Sequence, residues 1–399
     1  MEDSLNLIAT PNFNGVPNLE KLDVKGCKNL SEVHPSIAVH KRLTHLNLEG
    51  CKNLSSLPSK FEMESLEILI LSGCSKIKRI LEFIGNMKRL SKLRLDGIAI
   101  TKLPSSIEHL TNLASLHLRD CKNLVCLPSI ICSFKSLKDI NLAGCSRLDN
   151  LPENLWNVES LEELDVSGTA LREPPSSIVL SRNLKVLSFQ GCKGPPRKLW
   201  NMLFPFYLMP RRSLNPVNLL LPSLPGLCSL TILDLSDCNL STIPKDFGHI
   251  SSLHRLDVSG NNFDCLLESI IQLSKLNTIY LRNCTQLRSL PQFSSSIWTV
   301  EANGCTSLET LPNRLTPDKI CHPRLFLSNC FKLADNQGQS NIFFRMLSTL
   351  PQVSLSLSLL SLSLSLYIYI YIYVNSKHYV LYVSGNVQGI YQITLHFHL

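Results

Sequence analysis

The sequence predicts an α/β solenoid in which short parallel strands line a concave face and short helical or irregular legs form the convex side. Two observations carry that expectation. The pattern LxxLxLxxC, as at Leu43, Leu46, Leu48 and Cys51, recurs with its first leucine at Leu19, Leu43, Leu66, Leu90, Leu113, Leu137, Leu161 and Leu184, at intervals of 24, 23, 24, 23, 24, 24 and 23 residues. Ten of the 15 cysteines share one register of that pattern: Cys27, Cys51, Cys74, Cys121, Cys145, Cys192, Cys238, Cys284, Cys305 and Cys330.

A period in this window with this internal wording is the signature of a leucine-rich repeat horseshoe. Such an array grows by stacking, so a length of 399 residues says little about domain number. Each unit opens with a strand, as at 113–118, whose alternate residues face inward. It turns at the cysteine and returns through residues such as Leu124, Leu127 and Pro128. Return segments such as 105–110 have one or two apolar anchors, enough for a single helical or 3₁₀ turn. The side chain at the turn points inward, where a small group able to satisfy backbone carbonyls is favoured. Asn261 fills that role in one unit, and cysteine, with its weak S–H donor, is expected to replace it elsewhere as a reduced, buried residue.

The first unit reads as incomplete, because Ser4, Leu7 and Pro11 match only the second half of a repeat. Full units then run to Cys192, where Gly194-Pro195-Pro196 and later prolines interrupt the ladder. The pattern resumes at Leu230, 46 residues after Leu184, so the array keeps phase across a degenerate unit. It continues at Leu253, Leu276 and Ile297. The expected boundaries are therefore repeats over 1–192, a degenerate proline-rich repeat or loop over 193–229, repeats over 230–312, a different segment over 313–352, and a low-complexity tail over 353–399. In that tail Ser-Leu alternation gives way at Tyr367 to Tyr-Ile alternation. TC and TA dinucleotide tracts encode such alternations, which makes the tail read as unstructured or mistranslated microsatellite. Its period of two suits an extended segment and argues against a membrane helix.

Composition and motifs narrow the function. A net charge of +8 from 39 basic and 31 acidic residues, without a long run of like charge, is no footprint for nucleic acid. No GxxxxGK[ST], GxGxxG after a strand, HExxH or GxSxG occurs, and the eleven histidines are scattered. The expectation is a non-enzyme with no cofactor, no catalytic residues and no metal ligands. An acidic start, Glu2 and Asp3, without a basic, apolar leader predicts a cytoplasmic or nuclear protein.

What remains is the outward grid of the strands. Its central column reads Asp23, Asn47, Ile70, Arg94, His117, Asn141, Asp165, Ser188, then Asp234, Asp257, Tyr280 and Glu301. Arg94, His117 and Arg119 form a basic zone; Asn141, Asp165, Asp234 and Asp257 are polar or acidic; Tyr280 and Arg282 resemble an interface anchor pair. These nine residues are the candidate protein-binding site.

The wording Asn12-Phe13-Asn14-Gly15-Val16-Pro17-Asn18-Leu19, with Gly26-Cys27-Lys28-Asn29-Leu30, Leu103-Pro104-Ser105-Ser106-Ile107 and Leu127-Pro128-Ser129-Ile130, resembles the repeat region of plant intracellular immune receptors of the TIR-NB-LRR class, over about residues 5 to 345. Ser328-Asn329-Cys330-Phe331-Lys332-Leu333 resembles the opening of the β-sandwich that follows the repeats in that family, so the resemblance makes 313–352 its truncated start. The resemblance implies a recognition module whose partner is a pathogen effector or the receptor's own nucleotide-binding domain. The NAD-hydrolysing TIR domain and the nucleotide-binding domain of the family do not match any part of this sequence. Three alternatives stay open: a non-functional fragment, a substrate-recruiting subunit of a ubiquitin ligase, and a cell-surface ectodomain, the last two lacking the flanking motifs they require.

Overall fold

A computed structural model of the chain describes residues 2–80, 82–85, 87–174, 176–193, 226–243, 245–266, 268–311, 324–335, 371–375 and 378–382. Most of the proline-rich segment over 193–229, much of 313–352 and nearly all of the tail over 353–399 lie outside the described residues. The chain forms two compact units, Met1–Leu230 and Thr231–Leu399.

In the first unit, three-residue strands stack in parallel: β1 (Lys21–Asp23), β2 (His45–Asn47), β4 (Ile68–Ile70), β6 (Lys92–Arg94), β7 (Ser115–His117), β8 (Asp139–Asn141), β9 (Glu163–Asp165) and β10 (Val186–Ser188). Register follows the sequence period without slippage, so Leu22, Leu46, Leu69, Leu93, Leu116, Ile140, Leu164 and Leu187 face one another in a single row. All eight are buried. Burying one such side chain is worth about 1.5–3 kcal/mol, which is why the inward row tolerates only aliphatic residues.

Past each strand the backbone enters the left-handed region. Gly50, Gly73, Gly97 and Gly144 have φ of 70° to 78°, and Asp120 holds the same place at 57°. There the amide donates to the next repeat, as in Gly50 N to Ser72 O at 2.7 Å and Gly73 N to Asp96 O at 2.6 Å. The ladder thus continues beyond the residues with strand geometry.

The inward cysteines then bind the preceding unit. Cys51 Sγ donates to Val24 O at 3.3 Å, Cys74 to Leu48 O at 3.1 Å, Cys121 to Leu95 O at 3.1 Å, Cys145 to Leu118 O at 3.1 Å and Cys192 to Val166 O at 3.2 Å. Each is fully buried. The cysteine ladder read from the sequence is therefore a line of thiol-to-carbonyl bonds between repeats.

The return legs carry the expected 3₁₀ turns at Pro35–Val39, Ser105–His109, Ser129–Ser133, Glu153–Asn157 and Ser176–Leu180. Two legs differ. β3 (Lys60–Phe61) and β5 (Glu82–Phe83) pair in parallel as a second, two-stranded sheet, with Phe61 and Phe83 fully buried. Aromatic side chains favour such extended pairing, and here they fill the space a helical turn occupies elsewhere.

In the second unit β11 (Ile232–Asp234), β12 (Arg255–Asp257), β13 (Thr278–Tyr280), β14 (Thr299–Glu301) and β15 (Arg324–Phe326) continue in parallel, again in register. Return legs include 3₁₀ turns at Lys245–His249 and Glu268–Gln272. Asn261 replaces the cysteine: its Nδ2 donates to Leu235 O and Val258 O, both at 2.8 Å, and its Oδ1 accepts from Leu240 N at 2.9 Å. Cys330 Sγ donates to Ala302 O at 3.2 Å, so the segment around β15 keeps the repeat geometry. A short α-helix, Phe331–Asp335, follows it. β16 (Tyr371–Asn375) and β17 (His378–Tyr382) form an antiparallel pair, joined to β15 at Phe326 and Tyr371.

Candidate functional site

The outward residues of the strands form the candidate surface, and each unit presents its own cluster. In the first unit the third strand position places Arg94, His117, Asn141 and Asp165 on consecutive neighbours, since Arg94 pairs with His117, His117 with Asn141 and Asn141 with Asp165 in register. Arg119, two residues after His117, lies on the same face, and both arginines are exposed.

His117 is not a free imidazole. Its Nε2 lies 2.5 Å from Asp139 Oδ2, which also accepts from Ser115 Oγ at 3.0 Å. The hydrogen bond to Asp139 raises the imidazole pKa above its ordinary value, against opposing effects of burial and of the Arg94 charge. Burial pushes the Asp139 carboxyl upward, but its bonds to His117 and Ser115 outweigh that and hold it below the usual carboxylate range. Asp139 was not among the residues expected from sequence. The signal existed: a step of 24 sets Asp139 beside Ser115, diagonal to His117. Nearby, Asp96 accepts from Arg119 N at 2.9 Å and from Ser72 Oγ at 2.9 Å, and Arg119 Nε sits 3.5 Å from Asp120.

In the second unit Tyr280 carries both neighbouring arginines. The guanidinium carbons of Arg255 and Arg282 lie 4.7 Å and 4.5 Å from its ring centroid. Arg255 pairs in register with Thr278, two residues before Tyr280, and Arg282 stands two residues after it, so the cations approach the ring from its two sides along the strand. Arg282 Nε also donates to Glu301 Oε2 at 2.6 Å. Each cation–π contact of this partly exposed kind is worth about 0.5–1 kcal/mol and, more usefully, fixes long side chains before a partner arrives. Arg255 and Glu301 complete an anchor that the sequence showed only as Tyr280 and Arg282.

Four of the acidic and amide residues also have a local task. Asn141 Oδ1 accepts from Ala143 N at 3.0 Å, Asp165 Oδ1 from Ser167 N at 2.9 Å, Asp234 Oδ1 from Ser236 N at 2.9 Å, and Asp257 Oδ1 from Ser259 N at 3.0 Å. Asp23 and Asn47 do the same with Lys25 N and Glu49 N. These Asx turns satisfy the amide that the ending strand leaves unpaired. The preference for Asp and Asn in the central column therefore has a structural cause, which leaves Arg94, His117, Arg119, Tyr280 and Arg282 as the members whose side chains serve no such turn.

Among the described residues, no group of three or more His, Cys, Asp or Glu is placed to hold a metal ion, and no helix is long and apolar enough to cross a membrane. What the molecule offers is a stiff, mixed-charge strand face on a buried leucine and cysteine ladder. That combination defines a leucine-rich repeat protein. The pattern described as "Leucine-rich repeat region" matches residues 46–162 and that described as "Leucine Rich Repeat" matches residues 229–250. The chain is 35% identical to TMV resistance protein N of Nicotiana glutinosa over 85% of its own length and 28% of that protein's. It is 37% identical to Disease resistance-like protein DSC1 of Arabidopsis thaliana over 84% of its length and 26% of that protein's. Its repeats are similar to the leucine-rich repeat region of plant disease resistance proteins. The chain thus spans little more than a quarter of the length of these relatives. A leucine-rich repeat protein of Leptospira interrogans aligns structurally at 21% identity, over 75% of this chain and 88% of that one, with a TM-score of 0.42.

Proposed function

We propose that this chain is the protein-recognition module of an intracellular plant immune receptor, using its outward strand residues to engage a pathogen effector or the receptor's own nucleotide-binding domain. The observation that carries the reading is the contrast between a core row that is almost invariantly aliphatic and an outward row that changes charge from repeat to repeat. A structural face has no need of that variation, whereas a recognition face does. The relatives are disease resistance proteins, which supports a role in defence. The compartment is cytoplasmic or nuclear, in keeping with a ladder of reduced cysteines, and a fluorescent fusion expressed in leaf cells tests it.

The binding test uses two charge-reversed arginines. Arg94→Glu with Arg119→Glu inverts the basic zone at exposed positions outside the core, so the fold should persist. Association with an effector, or with the nucleotide-binding domain of a full-length relative, should fall at least about tenfold, as for other close interfacial charges. Undiminished association in both assays would remove the basic zone from the site.

A further inference from the structure

Several cations of the strand face are paired, Arg94 being an exposed exception. On that face, Lys25 lies 3.0 Å from Glu49, His117 2.5 Å from Asp139, Lys138 3.5 Å and Lys185 2.5 Å from Glu162, and Arg282 2.6 Å from Glu301. A group of unpaired cations lies on the edge of the first unit, where each repeat leaves the inward turn position and begins its return leg. Across four consecutive repeats, residues 51–59, 74–80, 97–106 and 121–133 contain Lys52, Lys76, Lys78, Arg79, Lys102 and Lys122, and no Asp or Glu. All six are exposed. None forms an ion pair among the described residues; the polar contact at the edge is Lys76 Nζ to Asn53 Oδ1 at 2.8 Å. On the strand side Glu49 is engaged with Lys25, Asp96 with Ser72 and the Arg119 amide, and Asp120 with Arg119, while Glu32, bridged to Ser56, and Glu82, three residues after Arg79, flank the edge without forming an ion pair with these cations.

This edge is rigid. Asn53 N donates to Lys28 O at 3.1 Å, Ala99 N to Ile77 O at 2.9 Å and Val125 N to Thr101 O at 3.1 Å, so successive turns are tied to one another. With strands about 4.8 Å apart, the six charges crowd an edge roughly 15 Å long, within two Debye lengths at physiological salt. We propose that this edge is a second interaction surface, distinct from the strand face, that docks an acidic segment of a protein partner.

Its chemistry favours that occupant over other polyanions. Single-stranded nucleic acid binds where aromatic side chains give bases a stacking platform, and the four segments contain no Phe, Tyr or Trp. Membrane-surface elements add large apolar groups that enter the bilayer, whereas the one large apolar side chain exposed in these segments is Val125, at 40%. Five of the six cations are lysines, flexible point charges suited to carboxylates on an extended chain rather than to one planar ligand.

The full chain should bind a labelled oligo-glutamate peptide of about twelve residues, with affinity falling at least about tenfold when salt rises from about 50 to about 300 mM. Replacing Lys78, Arg79 and Lys102 by Glu should cost at least about tenfold. Replacing Lys41, Lys88 and Lys135, which are equally exposed but precede the strands, should change it by less than about threefold. Triple replacement by Gln repeats the comparison if the Glu variant melts early. Equal losses in both triples would mean that only net charge matters and would overturn the proposal. So would tighter, edge-dependent binding to phosphatidylserine vesicles or to single-stranded DNA. The Arg94 and Arg119 variant should bind the peptide normally, which keeps failure of this surface separable from failure of the strand face.

Discussion

A single position, the inward turn residue, decides how one repeat holds the next. Asn261 satisfies three backbone groups within 2.9 Å, while each ladder cysteine satisfies one carbonyl through a weaker donor. Asn261→Ala should cost about 2–3 kcal/mol, because buried carbonyls and an amide lose their partners, and Asn261→Cys should recover about a third of that; urea unfolding of the variants measures both. Burial pushes the Cys51 thiol up to about 11 and Cys74, Cys121 and Cys145 to about 12, so these sulfurs stay protonated at neutral pH. Mass-spectrometric mapping after brief alkylation of the native chain should find label on exposed Cys126, Cys228 and Cys265 and spare the ladder. His117 and Asp139 give a residue-scale pH dependence. The imidazole pKa is raised, so its stabilisation is full below the unfolded imidazole range and is lost as pH rises through the folded value. The carboxyl pKa is lowered, so its contribution is present above the unfolded carboxyl range and is lost as pH falls through the folded value. Between those limits the pair should add about 1 kcal/mol or less, seen as a melting temperature that drops by a few degrees from about pH 6 to about pH 8 in the parent and not in His117→Gln.

At the scale of the element, each three-residue strand is too short to be stable alone and is defined by what ends it. Where the outward residue is Asp or Asn, as at Asp23 and Asn47, it turns the chain through its own carboxylate or amide, and the next turn residues enter the left-handed region. Gly73 is the tightest of the glycines stacked on another: at φ 78° an added Cβ would stand 3.4 Å from the Gly50 backbone. Gly73→Ala should therefore cost about 1–2 kcal/mol, against less than about 0.5 kcal/mol for Gly15→Ala, where an added Cβ meets nothing within 4 Å. Thermal melts of the two variants make the comparison. Strands, turns and the cysteine register were legible in the sequence because each depends on residue type at a fixed offset inside one period. The strand pairing of Lys60–Phe61 with Glu82–Phe83 was not, since it depends on two legs matching across repeats. The same reason hid the contacts of Asp139 and Arg255, and the pairing of Glu301 with Arg282: each acts through a neighbour 19 to 25 residues away, and only a fixed register turns that separation into contact. It also concealed the local task of Asn141, Asp165, Asp234 and Asp257, whose side chains close their own strand ends besides facing outward.

For the molecule as a whole, stability comes from a sum over neighbours rather than from one central core. Among the described residues of the first unit, the bonds that join one repeat to another run between neighbours, amide to carbonyl, thiol to carbonyl and leucine beside leucine. Such an array is quasi-one-dimensional, and its energy is close to the intrinsic terms of the repeats plus the interfaces between them. Removal of a complete period should then be tolerated where removal of part of one is not. Deleting residues 90–112 joins Arg89 to Leu113, brings β4 beside β7 in the same register, and leaves every inward position aliphatic. Deleting about half that length turns the inward row of every later repeat to the wrong side of the sheet, as a slip in register does in any half-buried strand. The full-period deletion should keep a cooperative melt with a midpoint lowered by no more than about 10 °C, and the half-period deletion should lose cooperativity, by circular dichroism on both chains. The charge pattern makes a parallel demand. A full-period deletion at this site removes Lys102 from the basic edge and Arg94 from the face together, so it should weaken the acidic-peptide contact and the strand-face contact at once. Point reversal on the edge should weaken only the first. The two proposed surfaces thus differ by position around the repeat, one along the strands and the other along the turns that follow them, and these deletions and reversals separate them.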